Sequence, residues 1–145
     1  LPIFGLTVLP VLYERAGFTQ PTLRPDQRRF ATTADSVWQA CRRIGAAGRP
    51  LVNAGVALHS LRAAAPESIH RLRQLTEGFV GPVHIHVAEQ TAEVDDCLRA
   101  TGQRPIEWLA AQGLLDGVRD RLLMVRGRLD VHERRRKFNW IGEEI

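Results

Sequence analysis

Apolar positions along the chain follow two patterns, short continuous runs and stretches with helical spacing. Gly5–Tyr13 is a nearly continuous apolar run, which is typical of a strand buried on both faces of a parallel sheet. Further strands are predicted at Leu51–Leu58, Pro82–Val87 and Leu122–Val125. Helices are predicted from a cap at Thr33 or Asp35 to about Ala47, and at Pro66–Thr76, Thr91–Ala100 and Pro105–Gln112.

Strands and helices alternate, with successive strands roughly thirty residues or somewhat more apart, which is the βα repeat of a parallel α/β sheet. A doubly wound sheet and a (β/α)8 barrel both fit this repeat. The chain has no G-x-G-x-x-G after a strand and no Walker-type phosphate loop, so nucleotide-binding open sheets gain no support. Polar residues follow the carboxyl ends of two successive strands, which favours a barrel. A complete barrel needs roughly 250 residues, so the expected fold class is α/β, a partial (β/α)8 TIM barrel.

Length and composition suit one globular domain, with 145 residues of which 44% are hydrophobic. No apolar run reaches the roughly 18 residues that a membrane span requires, so no membrane association is expected. Cys41 and Cys97 lie in helical patterns and indicate ordinary buried or half-buried thiols of a cytoplasmic protein, not a disulfide framework. The only methionine is Met124, so we expect the chain to be a fragment of something longer.

The formal net charge of +4 is concentrated near the end of the chain. Residues 117–145 hold eight Lys and Arg against five Asp and Glu. Within them Arg134–Trp140 is a basic run with aromatic residues, which could bind nucleic acid or an acidic partner. Such runs are more often solvated, and Glu143 and Glu144 reduce the local charge, so nucleic-acid binding is not the favoured interpretation.

The strand at Pro82–Val87 carries the most distinctive chemistry. Strand side chains alternate in direction, so His84 and His86 share one face, and Glu89 lies just beyond the strand. Imidazole can ligate zinc, and a nearby carboxylate can move protons to and from water, as hydrolytic metal sites require. The alternative is a buried strand with one histidine hydrogen-bonded in the core. We expect His70 to be solvent-exposed, and His132 has no partner at metal-ligand spacing.

His59 and Arg62 follow the preceding predicted strand. Arginine there could bind a substrate carboxylate through two parallel charge-assisted hydrogen bonds, and His59 could donate a hydrogen bond to substrate. The alternative is that both are loop residues without a functional partner. Catalytic zinc takes three protein ligands, so one histidine and one glutamate do not complete a site.

Several motifs together resemble a known family. They are GLTVLPVLYERAGF, QRRF, ALHSLRA and PVHIHVAEQTAEVDDCLRATGQRPIEWL, which cover about residues 1–115. They resemble N-formimino-L-glutamate deiminase, in the deaminase branch of the amidohydrolase superfamily. The resemblance implies a (β/α)8 barrel with one divalent metal, usually zinc. It also implies hydrolysis of the formimino C=N of N-formimino-L-glutamate to N-formylglutamate and ammonia, a step of histidine degradation.

The resemblance also implies roles for single residues. His86 would be a metal ligand on the fifth barrel strand, so the chain would cover about strands 3 to 6. Glu89 would be the catalytic residue that moves protons between water, the formimino nitrogen and the leaving ammonia. His59 and Arg62 would bind substrate, with Arg62 on a glutamyl carboxylate, and His84 would support the site.

Three elements of the family pattern are absent from the sequence. The first-strand His-x-His pair would precede Leu1, and the metal-binding aspartate of the eighth strand is missing. Where the family has a His-Ala-Thr-His stretch, this chain reads Leu122–Arg128. The prediction is therefore a partial barrel at residues 1–116 and a divergent basic tail at residues 117–145. That tail would be poorly ordered, or translated from a shifted reading frame or a degraded gene.

Three interpretations of function remain open from the sequence. The first is a fragment of a zinc-dependent deiminase with an acidic small-molecule substrate. Such a fragment is expected to be inactive as this chain alone and to bind zinc weakly, and pairing with a second copy would cover its open sheet edges. The second is a non-catalytic relic or a small basic module that binds nucleic acid or an acidic partner. The third is an amidohydrolase acting on another amidine or an aminated heterocycle.

Overall fold

The structure is a computed structural model that describes residues 5–115 and the backbone of residues 122–126. Its strands are β1 (Leu6–Val8), β2 (Val11–Leu12), β3 (Val52–Ala54), β4 (Val56–Leu58), β5 (Val83–Val87) and β6 (Leu122–Arg126). Its helices are α1 (Ala34–Ala46), α2 (Pro66–Leu75), α3 (Thr91–Thr101) and α4 (Pro105–Ala111), and a 3-10 turn spans Arg28–Phe30.

All strand pairings among the described residues are parallel. One sheet has the order β2-β4-β5-β6, and β1 pairs with β3. Helices connect the successive strands of the larger sheet, as parallel neighbours require. The predicted α/β repeat is confirmed, and in the described part of the chain the sheet is open. The fourth predicted strand is present as β6, whereas the proposed division at residue 116 stays a prediction.

Two of the predicted strands are each divided into two short strands. Leu9 and Pro10 separate β1 from β2, and Gly55 separates β3 from β4. The prediction of continuous strands is wrong at these points, because proline has no N–H for the ladder and glycine weakens a strand. The two breaks lie side by side. The N–H of Gly55 donates to the Val8 carbonyl at 3.0 Å, and the N–H of Ala57 donates to the Pro10 carbonyl at 2.8 Å.

The helices begin and end within about two residues of their predicted limits. Thr33 caps α1, since its hydroxyl accepts from the Ser36 N–H at 3.2 Å and the Ser36 hydroxyl accepts from the Thr33 N–H at 2.9 Å. Pro66 and Pro105 begin α2 and α4, where a missing N–H is tolerated. Of the described helices, none is long and apolar enough to cross a membrane.

The apolar core lies between one face of the sheet and the helices. Its buried members include Val56, Leu58, Ile85 and Val87 on the strands, Ile69 and Leu72 on α2, and Trp108 and Leu109 on α4. Cys41 and Cys97 are buried free thiols, as predicted. Because strand side chains alternate, this arrangement directs the intervening residues of β5 to the opposite face.

The prediction that His70 is solvent-exposed is wrong. His70 is half-buried, and its Nε2 lies 3.1 Å from Oε1 of Gln112, just beyond α4. The helical pattern of α2 could not reveal this contact, because the partner is 42 residues away in sequence. His132 and the basic run at Arg134–Trp140 lie outside the described residues.

Gly55→Ala should destabilise the fold. An added Cβ would lie 2.5 Å from Leu9 Cδ2 and 2.5 Å from the Pro82 carbonyl oxygen. We expect the free energy of unfolding, measured in urea, to fall by about 2 kcal/mol, as overpacking of a core typically causes.

Gly45→Ala is the matched control, because Gly45 lies in α1 and its added Cβ would meet only Ala54 Cβ at 3.9 Å. Alanine is the better helix former, so the free energy of unfolding of this variant should rise by about 0.5–1 kcal/mol. Equal effects of the two substitutions would contradict the close approach at Gly55.

Candidate active site

The carboxyl ends of β4 and β5 bring His59 and His86 together. Leu58 of β4 pairs with Ile85 of β5, and the His86 N–H donates to the His59 carbonyl at 3.3 Å. The centroids of the His59 and His86 rings are 5.6 Å apart. His84 packs against His86 with ring centroids 5.2 Å apart, so these two side chains share one face as predicted.

Burial controls the charge state of two of these imidazoles. Desolvation lowers the pKa of His59, and the nearby His86 and Arg62 lower it further, whereas Glu89 opposes the shift. Desolvation likewise lowers the pKa of His84, with His86 adding to the effect. A lowered pKa favours the neutral ring, so both imidazoles can accept a hydrogen bond as well as donate one.

Arg62 and Glu89 extend the cluster. Arg62 is half-buried, and its guanidinium forms no ion pair within the part of the chain that the structure describes. Glu89 is exposed and near enough to His59 for its charge to raise the His59 pKa. The structure therefore places all the predicted site residues at one edge of the sheet.

The loop after β4 is held by the two residues that follow Tyr13. The Glu14 carboxylate accepts the Ala65 N–H at 2.5 Å and the Ser68 hydroxyl at 2.8 Å. The Arg15 guanidinium donates to the Leu61 carbonyl at 2.7 Å and to the Arg62 carbonyl at 3.0 Å. These bonds fix the backbone that carries His59 and Arg62.

Tyr13 also belongs to the cluster, although no role is predicted for it from the sequence. Its ring centroid lies 4.8 Å from that of His59, in an edge-to-face arrangement. Gln27 donates to the Tyr13 hydroxyl at 2.8 Å, and the Tyr13 N–H donates to the Thr32 hydroxyl at 2.8 Å. The available signal was its position at the carboxyl end of a predicted strand, which is close to the signal that singled out His59.

Glu93 was also missed. It lies in the first turn of α3, is 5% exposed, and accepts the Glu89 N–H at 3.2 Å through Oε2. Burial raises the pKa of this carboxyl group, and the Glu89 N–H, Arg62 and His86 partly offset that effect. A glutamate in the first helical turn usually indicates a cap, so its position in the sequence did not predict burial.

The described residues do not complete a metal site. Among them, no three His, Cys, Asp or Glu side chains are grouped so that they could hold a metal ion. Neutral imidazole is a suitable zinc ligand, so His86 could supply one member of a ligand set. The remaining ligands would have to come from elsewhere in a longer protein.

Comparison with known proteins identifies the family. No protein-family model matches the chain. The formimidoylglutamate deiminase of Pseudomonas aeruginosa is 42% identical over 109 residues, which are 72% of this chain and 23% of that protein. The chain therefore spans about a quarter of the length of this relative.

Two solved structures extend the comparison. An amidohydrolase from Brucella melitensis is 41% identical, with a TM-score of 0.65 over 74% of this chain and 24% of that chain. An adenosine deaminase from Xanthomonas campestris, with bound zinc, is 27% identical, with a TM-score of 0.63 over 83% of this chain and 25% of that chain. The chain belongs to the amidohydrolase superfamily of hydrolases that act on carbon–nitrogen bonds, and its described residues form part of the (β/α)8 barrel of that superfamily.

Proposed function

We propose that this segment belongs to an enzyme that hydrolyses the formimino C=N of N-formimino-L-glutamate, giving N-formylglutamate and ammonia. The observation that carries the proposal is the half-buried, unpaired guanidinium of Arg62 beside His59 and Glu89, within the residues that the structure describes. The similarity to a formimidoylglutamate deiminase supports the same substrate.

Arg62 would bind a carboxylate of the substrate. A half-buried guanidinium that forms no ion pair among the described residues favours an anionic ligand, because two parallel hydrogen bonds would replace its lost hydration. The Arg15 bond to the Arg62 carbonyl fixes the backbone of this residue before substrate arrives. An adenosine-like substrate has no carboxylate for this arginine, which favours the glutamyl substrate over a nucleoside.

Glu89 would carry the proton transfers. Hydrolysis adds water to the formimino carbon and releases the =NH nitrogen as ammonia, so both protons of the water must reach that nitrogen, one as the water adds and the other as the carbon–nitrogen bond breaks. A carboxylate beside the reacting group can accept each proton in turn and deliver it to the nitrogen. Neutral His59, next to Glu89, would hold the substrate by a hydrogen bond.

His86 would be one ligand of a divalent metal, for which zinc is the proposed identity. When bound, such a metal would make water more acidic and polarise the C=N group. The zinc in the adenosine deaminase of Xanthomonas campestris supports this proposal.

The wider expectations also remain proposals. We place the intact protein in the cytoplasm, with an acidic small molecule as its partner, and pairing with a second copy stays a prediction. The alternative of a nucleic-acid-binding module gains no support from the comparisons, and its basic run lies outside the described residues.

Arg62→Ala should raise the KM for N-formimino-L-glutamate by about 10–100-fold, the usual value of charge-assisted hydrogen bonds. The measurement needs a complete barrel. We would replace the matched 109-residue region of the Pseudomonas aeruginosa enzyme with the corresponding part of this chain and follow ammonia release in this hybrid enzyme. Arg62→Lys keeps the positive charge, so it should raise the KM less than Arg62→Ala does.

Arg43→Ala is the control for Arg62, since Arg43 is an exposed residue near the end of α1. Its KM should match that of the parent hybrid. A hybrid that deaminates adenosine and leaves N-formimino-L-glutamate unchanged would overturn the proposed substrate.

Glu89→Gln should lower kcat by about 10²–10⁴-fold, the usual contribution of a general acid–base group. The KM should stay within about twofold, because glutamine is similar in size and Glu89 is not assigned to substrate binding. Ammonia release by the hybrid enzyme again measures both constants. Glu77→Gln, at an exposed position beyond α2, should leave kcat unchanged. A Glu89→Gln hybrid with the parent kcat would remove Glu89 from the mechanism.

A further inference from the structure

Glu93 and Glu107 occupy the same position on two successive helices but differ in burial. Each is the third residue of its helix, and each accepts a backbone N–H near the helix start. Glu107 accepts the Arg104 N–H at 2.9 Å and is exposed, whereas Glu93 accepts the Glu89 N–H and is 5% exposed. Because Glu107 does this while exposed, capping by itself does not require a buried carboxylate.

The hydrogen bond from the Glu89 N–H to the Glu93 carboxyl group follows directly after a strained backbone position. Ala88 is buried and has a φ of +54°, a left-handed conformation that residues other than glycine rarely adopt. This residue connects the end of β5 to Glu89. Glu93 reaches one residue beyond the Gln90 N-cap to the Glu89 N–H, and so holds the backbone directly after the strained residue.

The second oxygen of Glu93 has no role as a cap. Oε1 is buried and has no hydrogen-bond partner in the described part of the chain. Glu93 is also near enough to Arg62, His86 and Glu89 for their charges to affect it. Burial of a carboxylate without full hydrogen bonding is unfavourable, and such groups tend to occur where function requires them.

We infer that Glu93 is a positioning residue, which holds the turn at Ala88 so that the Glu89 carboxylate stays over the site formed by His59 and His86. This inference rests on the proposed function, in which Glu89 transfers protons. Glu93 itself touches neither water nor substrate in this assignment. It acts through the backbone of Glu89.

The first test compares substitutions at the two helix positions in the hybrid enzyme. Glu93→Ala should lower kcat by about tenfold or more with KM within about twofold, because Glu89 is misplaced while the substrate contacts remain. Glu93→Gln keeps an acceptor oxygen and should restore kcat to within about threefold of the parent. Glu107→Ala and Glu107→Gln should leave kcat unchanged. A Glu93→Ala hybrid with the parent kcat per folded molecule would show a merely structural cap and overturn the inference.

The second test does not depend on activity. Hydrogen exchange at the Glu89 amide is measured in the full 145-residue chain and again in the hybrid enzyme. Glu93→Ala should speed this exchange by about tenfold, the loss expected for one hydrogen bond, and Glu93→Gln should not. Unchanged exchange at Glu89 would overturn the inference.

The two failures can be told apart. A parent hybrid that folds but does not act on N-formimino-L-glutamate would contradict the proposed function. The exchange measurement would still decide whether Glu93 holds the Glu89 backbone. Faster exchange in Glu93→Ala together with unchanged kcat in an active hybrid would contradict the inference alone.

Discussion

Parallel pairing of β4 with β5 is the constraint on which the site depends. The pairing aligns the carboxyl ends of the two strands, and it continues one step past β4 through the bond from the His86 N–H to the His59 carbonyl. A slip of one residue would turn His84 and His86 into the apolar face now filled by Ile85 and Val87. Burial of two imidazoles without partners would be costly, so the register of the core also sets the composition of the site.

The segments that follow these strands carry backbone N–H and C=O groups that have no hydrogen-bond partner in the sheet. Buried or half-buried polar side chains form hydrogen bonds with these groups instead. Glu14 accepts an N–H and a hydroxyl from the start of α2, and Arg15 donates to two carbonyls of the loop after β4. Glu93 accepts the N–H of Glu89 after β5. Each bond joins a carboxyl or guanidinium side chain to a group of the neighbouring segment, so the loops gain rigidity without extra apolar core. Precise placement of catalytic groups requires such rigidity.

Local patterns were enough to predict the helices, the parallel repeat and the shared face of His84 and His86. Periodicity and capping signals act over a few residues, and they determine these features with little contribution from tertiary contacts. The divided strands depend on the close approach of Gly55 to Leu9, which only the folded chain reveals. The His70 contact with Gln112 and the burial of Glu93 also depend on tertiary packing. Tyr13 could have been found, because it lies at the carboxyl end of a predicted strand, close to where His59 follows the next one.

The proposed roles divide between two pieces of chain that only the sheet joins. The loop after β4 carries His59 and Arg62, the proposed substrate contacts, while the end of β5 carries His86 and Glu89. Because Glu14 and Arg15 hold the loop after β4, the proposed roles would allow a change at Arg62 to alter substrate preference without moving Glu89. Similarity to both a formimidoylglutamate deiminase and an adenosine deaminase fits this separation. The same water addition at a carbon–nitrogen bond can serve different substrates when recognition is on a different strand from proton transfer.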